Sequence, residues 1–381
     1  MGFEARNAIL EVLDQAIADT GSQVRVVAYD LSEPDVVSRL EKLGNRLKII
    51  IDDDGTHGEP DSGEAQAEKK LVKSAGADRV KRQHMGKLQH NKTIVVDGPT
   101  VKAAVCGSTN YTWRGFFVQA NNAVILRGES IVKLFLEAFE AYWQNDGASE
   151  FSTTASAQLV DLGINGIDAQ IGFSPYAKKN ALLGKIADEI GSNTKSSLFY
   201  SLAFLFQTPG PILDAINKVT ADENIFVYGI SDKKVGGINI QKPDGNIAPV
   251  NPAALGKNAP EPFKSEPTGG GGNRMHHKFV VIDFDKPTAR VYLGSYNFSS
   301  AADTKNGENL LVIRDKRIAT SYVVEALRIF DHYHFRVVQK EKKKAKEKLE
   351  LKKPPKLPGE TTWWSEDYTD KRKVRDRELF A

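Results

Sequence analysis

His90-Asn91-Lys92-Thr93-Ile94-Val95-Val96-Asp97 reads H-x-K-x4-D, and His276-His277-Lys278-Phe279-Val280-Val281-Ile282-Asp283 reads the same. Ten residues past Asp97 stands Gly107-Ser108-Thr109-Asn110, and Gly294-Ser295-Tyr296-Asn297 follows the second copy at nearly the same distance. The offset is 186 residues for His (90 to 276), Lys (92 to 278) and Asp (97 to 283), and 187 for the Gly-Ser pair (107 to 294). A repeated offset means a duplicated structural unit, and it decides the fold class before any single element is assigned.

The flanks repeat as well. Apolar residues at helical spacing predict helices over Ala8–Ala18 and Leu182–Ile190. Strand-forming runs follow at Gln23–Tyr29 and Ser196–Phe204. A second helix pair, Pro34–Leu43 and Pro211–Val219, carries proline near its first turn. Strands Arg46–Ile51 and Asn224–Ile230 come next, and each H-x-K strand is followed by another, Val101–Cys106 and Ala289–Leu293. Each half closes on a helix, Ser130–Trp143 and Ile318–Tyr333. Alternating strand and helix is the pattern of an α/β layer structure. The expectation is two α/β halves, residues 1–150 and 151–338, then a basic, partly extended tail over 339–381. Two long polar segments precede the motifs, Asp52–Gln89 and Ser231–Arg274, and are read as loops walling a site entrance.

Composition narrows the function classes. The chain has 381 residues, 52 Lys and Arg against 49 Asp and Glu, and a net charge of +3, so overall charge selects no partner. Lys340–Lys356 is an exception, with nine lysines against three glutamates, and is read as a contact for polyanions or anionic surfaces. The single cysteine, Cys106, excludes an intrachain disulfide and is read as a small buried hydrophobe. No Cys/His cluster has zinc spacing and no carboxylate cluster is visible, so neither metal nor cofactor is expected. No apolar run is long enough to span a bilayer and the N-terminus has no signal h-region, so a cytoplasmic monomer is expected from the sequence as written.

On a strand, His and Lys two residues apart share a face. Two such faces brought together put two imidazoles and two ammonium groups around one small space. His90, Lys92, His276 and Lys278, each half with its G-S-x-N, resemble the phospholipase D superfamily over about residues 5 to 335. A single H-x-K-x4-D is a short pattern; two at one offset, each with G-S-x-N, are specific.

The resemblance implies pseudo-twofold-related halves sharing one active site, a phosphohistidine intermediate and no metal. Lys92, Lys278, Asn110 and Asn297 are then expected to donate to the phosphate oxygens. One histidine attacks phosphorus, and the other protonates the leaving oxygen and activates the water or alcohol. Ser108 and Ser295 support the site, and Asp97 and Asp283 are read as structural. The family places an imidazole partner about eleven residues after the motif asparagine. That position is Glu308 in the second half and Asn121, with Gln119 as alternative, in the first. Assigning each partner to the histidine of its own half puts the carboxylate beside His276, making it the initial acid and His90 the neutral nucleophile. His277 is read as packing, and Trp113, Phe116 and Phe117 as core.

The resemblance implies a phosphodiester substrate. The run Gly294–Asn309 is similar to that of the family's small bacterial endonucleases, and Lys69, Lys70, Lys73, Arg79, Lys81, Arg82 and Lys87 lie before the first motif. These features favour nucleic acid over phospholipid head groups, with a weakly catalytic binding module as a third reading.

Overall fold

The computed structural model describes residues 3–232, 237–250, 273–344 and 353–381. In the first half, helix α1 (Phe3–Ala18) precedes strand β1 (Gln23–Ala28), helix α2 (Pro34–Leu43) and strand β2 (Leu47–Ile51). Pro34 and the Glu33 carboxylate, which accepts from the Asp35 and Val36 N–H groups, start α2. Helix α3 (Gly63–Ala75) and strands β3 (Val80–Arg82), β4 (Lys92–Asp97), β5 (Lys102–Gly107) and β6 (Ala123–Arg127) follow, with helix α4 (Trp113–Phe117) before β6 and helix α5 (Glu129–Gln144) after it.

These strands form a six-stranded sheet in the order β3-β2-β1-β4-β5-β6. β1 is parallel to β2 and antiparallel to β4, with Ala28 opposite Lys92. Val24, Val26, Ile49, Ile51, Ile94 and Val96 alternate onto one face and pack with Val12 and Leu13 of α1, Leu40 of α2 and Leu71 of α3. α5 packs against β4 and β5 and buries Ile131, Phe135 and Phe139.

After the short helix α6 (Ala148–Phe151), the second half contains strands β7 (Val160–Asp161) and β8 (Asp168–Ser174), helix α7 (Leu183–Asn193), strand β9 (Ser197–Leu202), helix α8 (Pro211–Thr220) and strands β10 (Phe226–Asp232), β11 (Ile238–Gln241) and β12 (Ile247–Val250). Strands β13 (Lys278–Ile282) and β14 (Arg290–Gly294), helix α9 (Ser300–Thr304), strand β15 (Glu308–Arg314) and helices α10 (Lys316–Lys344) and α11 (Lys371–Leu379) complete it. The second sheet runs β12-β11-β10-β9-β13-β14-β15-β8-β7. The order β2-β1-β4-β5-β6 thus recurs as β10-β9-β13-β14-β15, which is the duplication foreseen from the motif offset.

Contacts divide the chain into two compact units that do not follow the halves. One takes described residues 3–186, 273–279 and 292–314; the other takes 187–250, 280–291 and 315–381. Both histidine–lysine pairs and both G-S-x-N segments fall in the first unit.

Three expectations are corrected. Asp52–Gln89 is not a loop: Ser62 caps α3 through the Ala65 N–H, and β3 joins the sheet beside β2. Trp113 is not core. It is the first residue of α4 and 56% exposed, pairing along the helix surface with Phe117, whereas Phe116 faces inward and is buried. The chain end is not a free tail. Arg375 donates to the Glu223, Ile225 and Pro243 carbonyls, Arg372 pairs with Glu223, and Phe380 packs on Phe199, Phe226 and Phe284. Residues 233–236 and 251–272 of the Ser231–Arg274 segment, including Gly269–Gly272, lie outside the described residues, as do residues 345–352 of the lysine run.

Candidate active site

Lys92 opens β4 and Lys278 opens β13, so each histidine sits two residues before its strand begins. Both lysines and both histidines are buried. The Lys92 ammonium donates to the His90 carbonyl at 2.6 Å, and that of Lys278 to the His276 carbonyl at 2.8 Å. The two imidazole rings meet edge to face, with centroids 6.3 Å apart and planes at 67°.

Each motif glycine makes this approach possible. Gly107 and Gly294 have φ of 138° and 142°, and an added Cβ would stand 2.5 Å from the Asn122 carbonyl and 2.3 Å from that of Asn309. Only glycine adopts this backbone with a neighbouring strand so near. The serine that follows locks the turn. Ser108 Oγ donates to Asn121 Oδ1 and accepts from the Asn122 N–H, while Ser295 Oγ accepts from the Asn309 N–H.

The histidine partners are exchanged relative to the sequence expectation. His276 Nδ1 lies 2.8 Å from Asn121 Oδ1 and 3.1 Å from the Ser108 carbonyl, all first-half atoms. His90 Nδ1 lies 3.3 Å from Glu308 Oε2 and 3.5 Å from the Asn297 amide nitrogen, and its ring also bonds the Ser295 backbone, all in the second half. The carboxylate therefore stands beside His90, not His276. The eleven-residue spacing locates the right residues, but the β5–β6 and β14–β15 hairpins each present theirs to the other half's histidine. Gln119 stands one step back, with its Oε1 3.4 Å from the Asn121 amide nitrogen. In both rings Nδ1 is the nitrogen held, leaving Nε2 for chemistry.

The electrostatics follow from burial. Desolvation, then the Lys92 and Lys278 charges, hold His90 well below its ordinary value, and the same causes depress His276. Burial lowers Lys92 to about 7 and raises Glu308 to about 7. Glu308 accepts from the Asn297 N–H at 2.9 Å and the Asn306 amide at 2.8 Å.

Asn110 and Asn297 flank this space. Asn110 donates one amide N–H to Asp30, and the Oδ1 atoms of both asparagines have no partner. Asp97 pairs with Lys102. Asp283 accepts from the Lys195 and Ser196 N–H groups and so orders the turn before β9. His277 is buried against the Phe279 ring. Cys106 is buried, its thiol pushed up to about 12.

Sequence reasoning missed a third histidine. His57 Nε2 lies 2.8 Å from Asp30 and its Nδ1 2.8 Å from Asp52. The Tyr29 ring stands between His57 and His90, 4.6 Å from each, and the Lys92 ammonium lies 4.5 Å over it. Asp30, His57 and Glu64 bring ligand-type atoms within 4.8 Å of one another, so a grouping that could hold a metal does exist, contrary to expectation. Burial works against the charged form of His57, and the hydrogen bonds to Asp30 and Asp52 outweigh it, raising the ring to about 10. Residues 30, 57 and 64 have no motif spacing, and nothing in the sequence points to them.

The model of the family described as "Cardiolipin synthase, PLD-like domain" matches residues 13–143 and 186–330. The chain belongs to this phospholipase D-like family. Among curated relatives, "Phospholipase D" of Rickettsia felis is 44% identical over 48 residues, 13% of this chain and 22% of that protein. "Mitochondrial cardiolipin hydrolase" of Mus musculus is 26% identical over 148 residues, 38% and 62% of the two chains. The matched stretch is thus under two thirds of either relative. Among solved structures, phosphatidylserine synthase of Haemophilus influenzae superposes with a TM-score of 0.58 at 12% identity, over 86% of this chain and 84% of the other. Polyphosphate kinase of Porphyromonas gingivalis gives 0.51 at 11%, over 83% and 47%. Both likenesses concern the fold, a phospholipase D-like α/β structure in two halves.

Proposed function

We propose that this chain cleaves phosphodiesters through a phosphohistidine on His90, with His276 as proton donor and acceptor and no metal in the chemistry. The carrying observation is the pair of imidazoles 6.3 Å apart, each anchored at Nδ1, between two buried lysines. The substrate anion is drawn by Lys92 and Lys278, and its charge raises His276 toward its protonated form. His90 Nε2 attacks phosphorus as His276 gives its proton to the departing alkoxide. Water then loses a proton to His276 and attacks phosphorus, and the bond to His90 breaks. An alcohol in place of water gives transfer instead of hydrolysis.

The exchanged partners keep these roles but change their reason. Attack leaves His90 cationic, and Glu308 stabilises that charge as it develops. The neutral amide of Asn121 orients His276 without weakening it as an acid.

For the substrate, the names of the relatives support a phospholipid head-group diester. Nucleic acid stays as a second reading because Lys69, Lys70, Lys73 and Lys87 are exposed. Its support is reduced, since Lys81 pairs with Asp146, and Arg82 with Glu68 and the Asp52 and His57 carbonyls. The test is incubation with phospholipid vesicles, plasmid and single-stranded DNA, all with EDTA. Head-group release is expected to persist in EDTA. Activity lost in EDTA and restored by magnesium would overturn the metal-free mechanism, and cleavage of DNA alone would reverse the substrate assignment.

A further inference from the structure

We propose that His57, clamped between Asp30 and Asp52, is a positioning residue that sets the charge and placement of His90 and Asn110, and this rests on the phosphoryl-transfer role of His90 given above.

The two carboxylates that hold His57 each reach into the site by their other oxygen. Asp52 Oδ1 accepts at 2.6 Å from the backbone N–H of Gln89, the residue directly before His90. Asp30 Oδ2 accepts from the Asn110 amide. The Tyr29 backbone N–H donates to the Asn91 carbonyl at 3.1 Å, so the aromatic spacer between the two rings is tied to the same motif. His57 thus joins the strand entry of one motif to the asparagine of the other through two charge-assisted hydrogen bonds. This arrangement belongs to the first half. By strand register Ala28 pairs with Ile51 and Leu202 with Ser231, so the position of Asp30 corresponds to Phe204, which carries no charge.

The clamp also tunes charge. The groups facing His57 are Asp30, Asp52, Glu64 and Tyr29, with Arg82 on its carbonyl. Those facing His90 are Glu308, Lys92, Lys278, His276, Tyr29 and Asp30. Burial lowers both His90 and Lys92, and the Asp30 charge works in the opposite direction on each. His57, held by Asp30 on one ring nitrogen and Asp52 on the other, stands against that charge. Without it, Asp30 would favour the protonated, non-nucleophilic form of His90.

The test is His57→Gln, whose amide N–H groups can still meet the carboxylates but whose charge is gone. The His90 ring is titrated by NMR with selectively labelled histidine, alongside turnover of bis(p-nitrophenyl) phosphate. The midpoint of His90 is expected to move up by about half a pH unit or more, because an uncompensated carboxylate favours the cation. Turnover is expected to fall about tenfold or more at neutral pH with KM changed much less, the acid limb moving with the midpoint. Adding Asp30→Asn should return both limb and midpoint toward the original. Should His57→Gln unfold the protein, Asp30→Asn alone is expected to move the midpoint down. An unchanged His90 midpoint and unchanged turnover in a folded His57→Gln protein would overturn the proposal. A shifted midpoint in a protein that turns over no diester would uphold the clamp and refute the functional reading instead.

Discussion

Replacing Glu308 by Gln separates the charge of the His90 partner from its shape. Glu308 is completely buried, and its Oε2 accepts from the Asn297 N–H and faces His90 Nδ1. The amide oxygen of Glu308→Gln can keep both contacts. Its new N–H group would face Asn306, whose Oδ1 has no partner and can accept after an amide flip. Geometry therefore survives and the negative charge does not. A full charge pair at the 3.3 Å separation amounts to about 5 kcal/mol at an effective dielectric of about 20. With roughly half of the imidazolium charge developed in the transition state, the loss is about 2.5 kcal/mol, roughly seventyfold in turnover. Stability should move the other way. Burial raises Glu308 from 4.5 to about 7, so the stability it allows is fully present below about 4.5 and is lost as pH rises through about 7. Glu308→Gln has no such loss. It should melt higher than the parent at pH 8 and by a much smaller margin at about pH 4, below the window, while turning over a small diester far more slowly at pH 8. Unchanged turnover with intact folding would refute the role given to the carboxylate.

His276→Ala should be slow on an alkyl phosphodiester and much less impaired in the first step with a p-nitrophenyl diester, whose leaving group needs no proton. A burst of nitrophenolate followed by slow turnover is the expected trace, and equal loss with both substrates would remove His276 from acid catalysis. Asn121→Ala, which leaves His276 Nδ1 only the Ser108 carbonyl, should lower turnover about tenfold with the alkyl diester, by analogy with removing a residue that fixes a tautomer. Phe380→Ala should destabilise the second unit by about 1–2 kcal/mol in thermal melts, because the ring contacts Phe199, Phe226 and Phe284 while staying half exposed. Turnover on a small soluble diester should stay within about twofold.

The duplicated motif made the fold legible and singled out His90, Lys92, His276 and Lys278, which the structure gathers in one unit. Ser108, Ser295 and the motif glycines were legible from the same repeat. What the sequence did not carry was which hairpin faces which histidine. Spacing along a chain fixes a residue's place on its own strand, whereas the exchange of Glu308 and Asn121 arises from packing between strands distant in sequence. His57 was hidden by the same limit, since its partners Asp30 and Asp52 lie at the ends of two parallel strands and meet only when the sheet forms. α3 was read as loop because its charged residues outnumber its buried face of Ala67 and Leu71, yet Ser62 and Gly76 cap both of its ends. Trp113 was assigned to the core on hydrophobicity, and the amphipathic face of a five-residue helix decided otherwise.

The covalent intermediate is the central claim, and trapping with an alkaline denaturing quench, in which the N–P bond survives, tests it most directly. Protein mixed with a p-nitrophenyl diester in EDTA and quenched within the first turnover should carry one phosphoryl group that keeps the second ester substituent after nitrophenolate has left, located by mass spectrometry on the peptide containing His90. The label should accumulate in the His276→Ala protein and be absent in His90→Ala. A phosphate found on His276 and never on His90 would reverse the roles, and the absence of any adduct together with inversion of configuration at phosphorus would contradict the phosphohistidine mechanism altogether.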